Sequence, residues 1–275
     1  DDRWPIRDAG LLRRALEYAS TFGLVVMQHC EEPDLVRGAF VHEGVRSIRM
    51  GLRGWPREAE DAAVARDVRV AEMSGAHLHV AHLSSGGAVE VVREAKARGV
   101  RVTADVTPHH LSFTDSLLEG FNTLAKVVPP LREESDRQAL LAGVRDGTID
   151  AIATDHAPHH ALAKECKLEV ALPGIAGLET AVSLLCALVA SGDLPLATTI
   201  AALTTGPANI LGRSAVLTGA KDLTVIDPGA EWTVRADALR SKAANTPLLG
   251  ERVRGRATLT IVDGRIVHEL PKETT

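Results

Sequence analysis

The sequence has 275 residues, of which 45% are hydrophobic and 24% charged, a balance typical of a globular protein with a sizeable core. Its net charge of −5 comes from scattered residues, which argues against a basic surface for nucleic acid or an anionic membrane. Its three cysteines form no CxxC pair, and its apolar runs fall short of the roughly 20 residues that span a bilayer. These features predict a cytoplasmic protein.

Helical and strand patterns alternate over the first two-thirds of the sequence. The first helix is predicted after Asp8, a favourable N-cap, with Leu12, Leu16 and Ala19 on its apolar face. Four apolar strands follow in chain order: LVVMQH, HLHVAH, VRVTADV and IDAIATD. Helices are predicted in REAEDAAVARDVRVAEMSGA, SGGAVEVVREAKARG, ESDRQALLAGVRDGT, GIAGLETAVSLLCALVASG and LATTIAALTTGPANILG. Repeated strand–helix units predict a parallel sheet with right-handed crossovers.

The pattern changes near residue 215. The segments DLTVIDP, EWTVRA and RATLTIVDGRIVHEL predict short antiparallel strands, the last of them with a hairpin turn at Asp263 and Gly264. We therefore predict an α/β body over residues 1–214 and a small β domain over residues 215–275.

Three of the predicted strands end in residues that can bind a metal, namely His29, His82 and Asp155. In a (β/α) barrel the carboxyl ends of the strands meet at one mouth, so these side chains are expected to converge. Two imidazoles and a carboxylate suit zinc or a similar divalent ion. A single histidine after a strand is usually an ordinary loop residue, but three such endings in one sheet favour a metal site.

The remaining polar residues near these strand ends are interpreted more simply. Histidines 79, 109, 110, 156 and 159 are expected to support the site or to be structural, and the pair Glu31 and Glu32 to form a solvated loop.

Several strings resemble the dihydroorotases of the amidohydrolase superfamily, in the order expected of that family: VVMQHCEEPDL, HLHVAHLSS, ADVTPHHLSFTD, AKVVPPLR, ATDHAPH, PGIAGLET, LTTGPANILG and SKAANTP. The resemblance extends over essentially the whole chain. It implies a (β/α)8 TIM barrel of the metal-dependent hydrolase type, of which this sequence is the C-terminal portion, followed by a small β-sandwich tail.

The resemblance also implies a two-zinc active site with metal ligands at Asp2, His29, His82 and Asp155. Asp155 would bind the first metal and act as general base, His29 and His82 would bind the second, and Asp2 would bridge the two. Such a pair of metals generates a nucleophile from water at neutral pH. His159 would contact the substrate carboxylate, while the backbone at Pro173 and Gly174 would contact the substrate ring.

The sequence departs from this family in two places. The first-strand His-x-His is not in these 275 residues, and four strands are predicted where a barrel has eight. Val128 stands in the string AKVVPPLR where the family has an asparagine that helps to hold the substrate carboxylate. We therefore expect these residues alone to bind about one zinc ion, to be inactive, and to associate with themselves or with the absent segment of the barrel.

The function predicted from the resemblance is the reversible hydrolysis of L-dihydroorotate to N-carbamoyl-L-aspartate in pyrimidine biosynthesis. One alternative is a related cyclic amidase, an allantoinase or a hydantoinase. Another is a non-catalytic homologue that serves as a scaffold for aspartate transcarbamoylase. The expected partners are a small-molecule substrate, further copies of the chain and that transcarbamoylase.

Overall fold

A computed structural model describes residues 4–215, 217 and 219–271 of this chain. The helices are α1 (Ala9–Thr21), α2 (Pro33–Val36), α3 (Val45–Met50), α4 (Glu58–Ser74), α5 (Gly86–Ala97), α6 (Pro108–Ser112), α7 (Glu134–Asp146), α8 (Ala181–Ala190), α9 (Leu196–Leu203) and α10 (Thr205–Ile210). The strands are β1 (Val25–Gln28), β2 (Val41–His42), β3 (Gly54–Trp55), β4 (His77–Val80), β5 (Val102–Val106), β6 (Ala151–Ile152), β7 (Leu223–Thr233), β8 (Arg252–Val262) and β9 (Arg265–Glu269). Among the residues described, no helix is both long and apolar enough to cross a membrane.

The main sheet is parallel, with its strands in the order β1–β4–β5–β6. The four strands predicted from the sequence therefore lie side by side in chain order, as the repeated strand–helix pattern predicts. The parallel α/β body and the antiparallel tail confirm the predicted fold class. A second parallel pair, β2 with β3, lies in the polar stretch for which the sequence predicted no strand.

The hydrophobic core lies between the main sheet and the helices that cover it. Leu12 and Leu16 of α1 are fully buried together with Leu78 and Val80 of β4. Burying each such side chain contributes about 1.5–3 kcal/mol, so this layer fixes the positions of the strands. Asp8 caps α1 as predicted, because its carboxylate accepts hydrogen bonds from the backbone N–H groups of Gly10 and Leu11 at 2.7 and 3.0 Å.

The C-terminal strands β7, β8 and β9 form an antiparallel sheet. The two predicted strands DLTVIDP and EWTVRA are one strand, β7, whose pairing shifts between Asp227 and Glu231, a stretch that includes Pro228, which has no N–H to donate. The predicted hairpin turn joins β8 to β9, with Asp263 and Gly264 both at positive φ.

This sheet packs against α8 of the body. The hydroxyl of Ser183 donates to the carbonyl of Gly255 at 2.6 Å, and a Cβ at Gly255 would lie 2.6 Å from Sγ of Cys186. Glycine is therefore required where β8 crosses α8. The domain boundary at residues 214 and 215 stays a prediction.

Candidate metal and substrate site

The ends of β1 and β4 bring two histidines into contact. Gln28 at the end of β1 pairs with Val80 at the end of β4, so the residues that follow these strands emerge side by side. Nδ1 of His29 lies 3.0 Å from Nε2 of His82, and the rings meet edge to face with centroids 4.7 Å apart. Two imidazoles that converge in this way present nitrogen ligands to one small volume.

The His82 side chain has the properties of a metal ligand. It is buried, and its Nδ1 has no hydrogen-bond partner within the described part of the chain. Burial lowers the pKa of His82, and the neighbouring His29 lowers it further, while the nearby carboxylates of Asp155 and Asp105 oppose the shift. The ring is therefore held neutral, which is the form that binds a metal. The nitrogen of His82 that faces His29 is Nε2, so the proposed ligand atom and the unpartnered Nδ1 are different atoms of the ring.

His82 and Asp155 share an unusual backbone conformation. Their φ angles are +41° and +44°, in the left-handed region that residues other than glycine rarely adopt. Asp155 follows β6 and is half-buried, so it lies at the same edge of the sheet as the two histidines. Backbone strain of about 1–3 kcal/mol per residue is often found at functional sites, where the surrounding structure holds it in place.

Glu31 is a site residue that the sequence interpretation missed. Its carboxylate lies 3.0 Å from Nε2 of His29, and its side chain is only 14% exposed, so it does not belong to a solvated loop. A carboxylate on the second ring nitrogen of a ligand histidine fixes the ring's tautomer and orientation. The spacing His-x-Glu was the available signal, but two adjacent glutamates also match an exposed loop.

Asp2 lies outside the described residues. The structure therefore gives its predicted bridging role no geometry, and that role stays a prediction.

The loop after β6 approaches the segment that carries Pro173 and Gly174. Nε2 of His159 donates to the carbonyl oxygen of Pro173 at 2.7 Å. Gly174 has φ +131°, and a Cβ there would lie 2.5 Å from the Cβ of Ala157 and 2.9 Å from Nε2 of His159. Only glycine allows this approach, so the structure brings the three predicted substrate residues together.

Two further histidines near the strand ends, His79 and His110, are already hydrogen-bonded. Nε2 of His79 lies 2.8 Å from a carboxylate oxygen of Asp105, and Nε2 of His110 donates to the carbonyl of Pro129 at 3.0 Å. Burial lowers the pKa of His110 to about 3, so its ring is neutral at physiological pH. Both side chains support neighbouring backbone and side-chain groups.

A second group of potential metal ligands lies elsewhere, at His42, Glu133 and Asp136, with one ligand atom of each within 4.8 Å of the others. The guanidinium of Arg57 contacts all three, at 3.2, 3.0 and 3.0 Å respectively. Burial, together with the charges of Arg132 and Arg57, lowers the pKa of His42 to about 4. The ligand atoms of this group already contact the positively charged guanidinium of Arg57. In the described part of the chain, His29 and His82 form no hydrogen bond with a lysine or arginine side chain.

Known proteins resemble this chain over nearly its whole length. The profile of the amidohydrolase family matches residues 4–267. A protein named dihydroorotase from Geotalea daltonii is 49% identical over 272 residues, covering 98% of this chain and 64% of the relative. A protein of the same name from Anaeromyxobacter dehalogenans is 48% identical over 274 residues, covering 98% of this chain and 63% of the relative. The chain thus spans just under two-thirds of the length of these relatives.

Solved structures share the fold. An L-hydantoinase (dihydropyrimidinase) from Arthrobacter aurescens superposes with a TM-score of 0.86 at 25% identity, over 96% of this chain and 61% of that protein. A dihydropyrimidinase from Brevibacillus agri superposes with a TM-score of 0.83 at 21% identity, over 95% and 60% respectively.

Proposed function

Because this chain belongs to the amidohydrolase family, we propose that it carries part of the active site of a dihydroorotase. The substrate would be L-dihydroorotate, whose cyclic amide is hydrolysed reversibly to N-carbamoyl-L-aspartate in pyrimidine biosynthesis. The observation that carries the proposal is the buried contact between His29 and His82 beside Asp155. The relatives named dihydroorotase support this choice of substrate.

Membership of the family implies a metal ion, and the residues present fit one. His29, His82 and Asp155, with Asp2, are the proposed ligands, and two zinc ions are the proposed complement of the complete site. Zinc bound there would supply Lewis-acid activation of water and of the amide carbonyl. Glu31 would hold the His29 ring in one tautomer through its contact at 3.0 Å.

Asp155 is the proposed general base and acid. Its carboxylate would take a proton from the attacking water as the water oxygen bonds to the amide carbon. It would return that proton to the ring nitrogen as the carbon–nitrogen bond breaks. The position of Asp155 at the start of the loop that carries His159 places both residues near one substrate.

His159, Pro173 and Gly174 are the proposed substrate-binding residues. A substrate carboxylate would compete with the carbonyl of Pro173 for the proton on Nε2 of His159, now 2.7 Å from that carbonyl. The backbone at Pro173 and Gly174 lies beside His159 and would contact the ring of the substrate.

The test is a comparison of substrates with the zinc-loaded full-length enzyme. We expect kcat/KM for L-dihydroorotate to exceed those for hydantoin and allantoin by about a hundredfold or more, since a site built for a carboxylate loses that contact with the other two. Preference for hydantoin or allantoin would instead assign the chain to the related cyclic amidases. No turnover of any of the three by the zinc-loaded enzyme would favour a non-catalytic scaffold.

Val128 offers a specific prediction about carboxylate binding. Its half-buried side chain packs against the apolar cluster of Val36, Ala39, Trp55 and Ala59, and it cannot donate a hydrogen bond. If an amide here reaches the substrate carboxylate, V128N lowers KM for dihydroorotate about tenfold, since a hydrogen bond to a charged group contributes about 1.5–3 kcal/mol.

The matched control for this variant is V128A, which loses the same packing but adds no amide. Steady-state kinetics of both variants measure the effect. An unchanged KM in V128N would mean that other residues hold the carboxylate.

The proposal also covers the cellular location and the protein partners of the enzyme. We propose a cytoplasmic protein that associates with itself, and an association with aspartate transcarbamoylase. Co-purification of the two proteins and sedimentation of the full-length enzyme test these associations.

A further inference from the structure

Asn245 connects two segments of the proposed substrate site through one buried amide. Its Oδ1 accepts a hydrogen bond from the backbone N–H of His159 at 2.9 Å. Its Nδ2 donates to the carbonyls of Ala157 and Gly174, both at 3.0 Å. The residue is only 4% exposed, and three of the four hydrogen-bonding positions of its amide are used by backbone of these two segments.

The segment that carries Asn245 is itself held in place at two points. The carbonyl of Asn245 accepts a hydrogen bond from the N–H of Ala176 at 3.0 Å. The second point is at Arg240 and Ser241, a few residues before Asn245. Their backbone N–H groups donate to the carboxylate of Glu179 at 2.7–2.9 Å. The amide is therefore presented from a fixed backbone.

We propose that Asn245 is a positioning residue that sets the distance between the His159 loop and the segment of Pro173 and Gly174. The amide joins the two segments next to the backbone hydrogen bond from Ala157 to Ile175, which is 2.9 Å long. The inference rests on the proposed function, because it takes these segments as the substrate-binding surface. It assigns a role in substrate binding to the chain segment that leads into β8.

The consequence is a selective loss of substrate binding. A loosened loop would misplace His159 relative to Gly174, while the metal ligands His29 and His82 stay at the ends of β1 and β4, in other parts of the chain. In the zinc-loaded full-length enzyme, N245A and N245D should raise KM for dihydroorotate about tenfold, with kcat within about threefold and the same zinc content. N245D keeps an acceptor for His159 but loses both donors and places negative charge against two carbonyls.

Two further variants make the test decisive. N209A removes an exposed asparagine amide from α10 and should leave KM unchanged. E179A releases the segment at Arg240 and Ser241 without touching the amide, and should raise KM in the same direction by a smaller factor. Circular dichroism checks the fold of each variant, and E179A decides the matter if the Asn245 variants do not fold.

A lower kcat at unchanged KM, or a loss of zinc, would overturn the positioning role, since either would show a general structural effect. The proposed function fails separately, if the wild-type enzyme does not hydrolyse dihydroorotate. If the wild type hydrolyses hydantoin instead, the same comparison of KM and kcat is made with hydantoin.

Discussion

Replacing Asp155 by asparagine should reduce hydrolysis of dihydroorotate by the full-length enzyme about 10²–10⁴-fold, the usual contribution of a general acid–base group. An amide cannot take up the proton of the attacking water at neutral pH, and it is a weaker metal ligand than a carboxylate. The fold should survive, because asparagine has nearly the same shape and Asp155 is only half-buried.

The control for this variant is D146N. Asp146 is a surface carboxylate paired with Arg93 at 2.9 Å, and its replacement should change turnover little. Turnover is followed by the release of N-carbamoyl-L-aspartate, and the fold by circular dichroism. If D155N kept a tenth of wild-type turnover, the assignment of the base would be wrong.

Replacing His82 by alanine should weaken zinc binding by about a hundredfold or more and remove activity with it. The buried His29 would lose the nitrogen that lies 3.0 Å from its own, and the proposed second metal would lose one of its ligands. Competition with a chelator of known affinity measures the loss in the purified protein, independently of turnover.

Two histidine variants complete this experiment. H160N changes an exposed side chain that accepts a hydrogen bond from Leu162, and zinc affinity should stay at the wild-type value. H42N tests the alternative group beside Arg57. Loss of zinc in H42N together with retention of zinc in H82A would place the metal at His42 and contradict the assignment to His82.

The main sheet could be predicted because each of its strands is a short apolar run next to an amphipathic helix. The predicted segments LVVMQH and VRVTADV contain the observed strands β1 and β5 and are each only two residues longer than the strand. The last strand was harder, since only Ala151–Ile152 pair with β5, and the chain then turns at positive φ at Asp155. Strand patterns in sequence do not reveal where such a turn begins.

Contacts between residues distant in sequence account for most of what could not be predicted at the candidate site. Asn245 is in one of the strings that resemble the family, yet its partners Ala157 and Gly174 lie far away along the chain. The pair β2–β3 consists of two residues on each strand, too few to produce an alternating pattern. The prediction of a solvated loop for Glu31 was wrong for a different reason. An exposed acidic loop and a carboxylate bound to a buried histidine can have the same local sequence.

The position of the metal is the central claim, and anomalous diffraction from crystals of the zinc-loaded full-length protein, measured at the zinc absorption edge, tests it most directly. Our account predicts anomalous density bounded by the side chains of His29 and His82, on the side of Asp155. Density at His42, Glu133 and Asp136, with Arg57 displaced and none at the ends of β1 and β4, would contradict it.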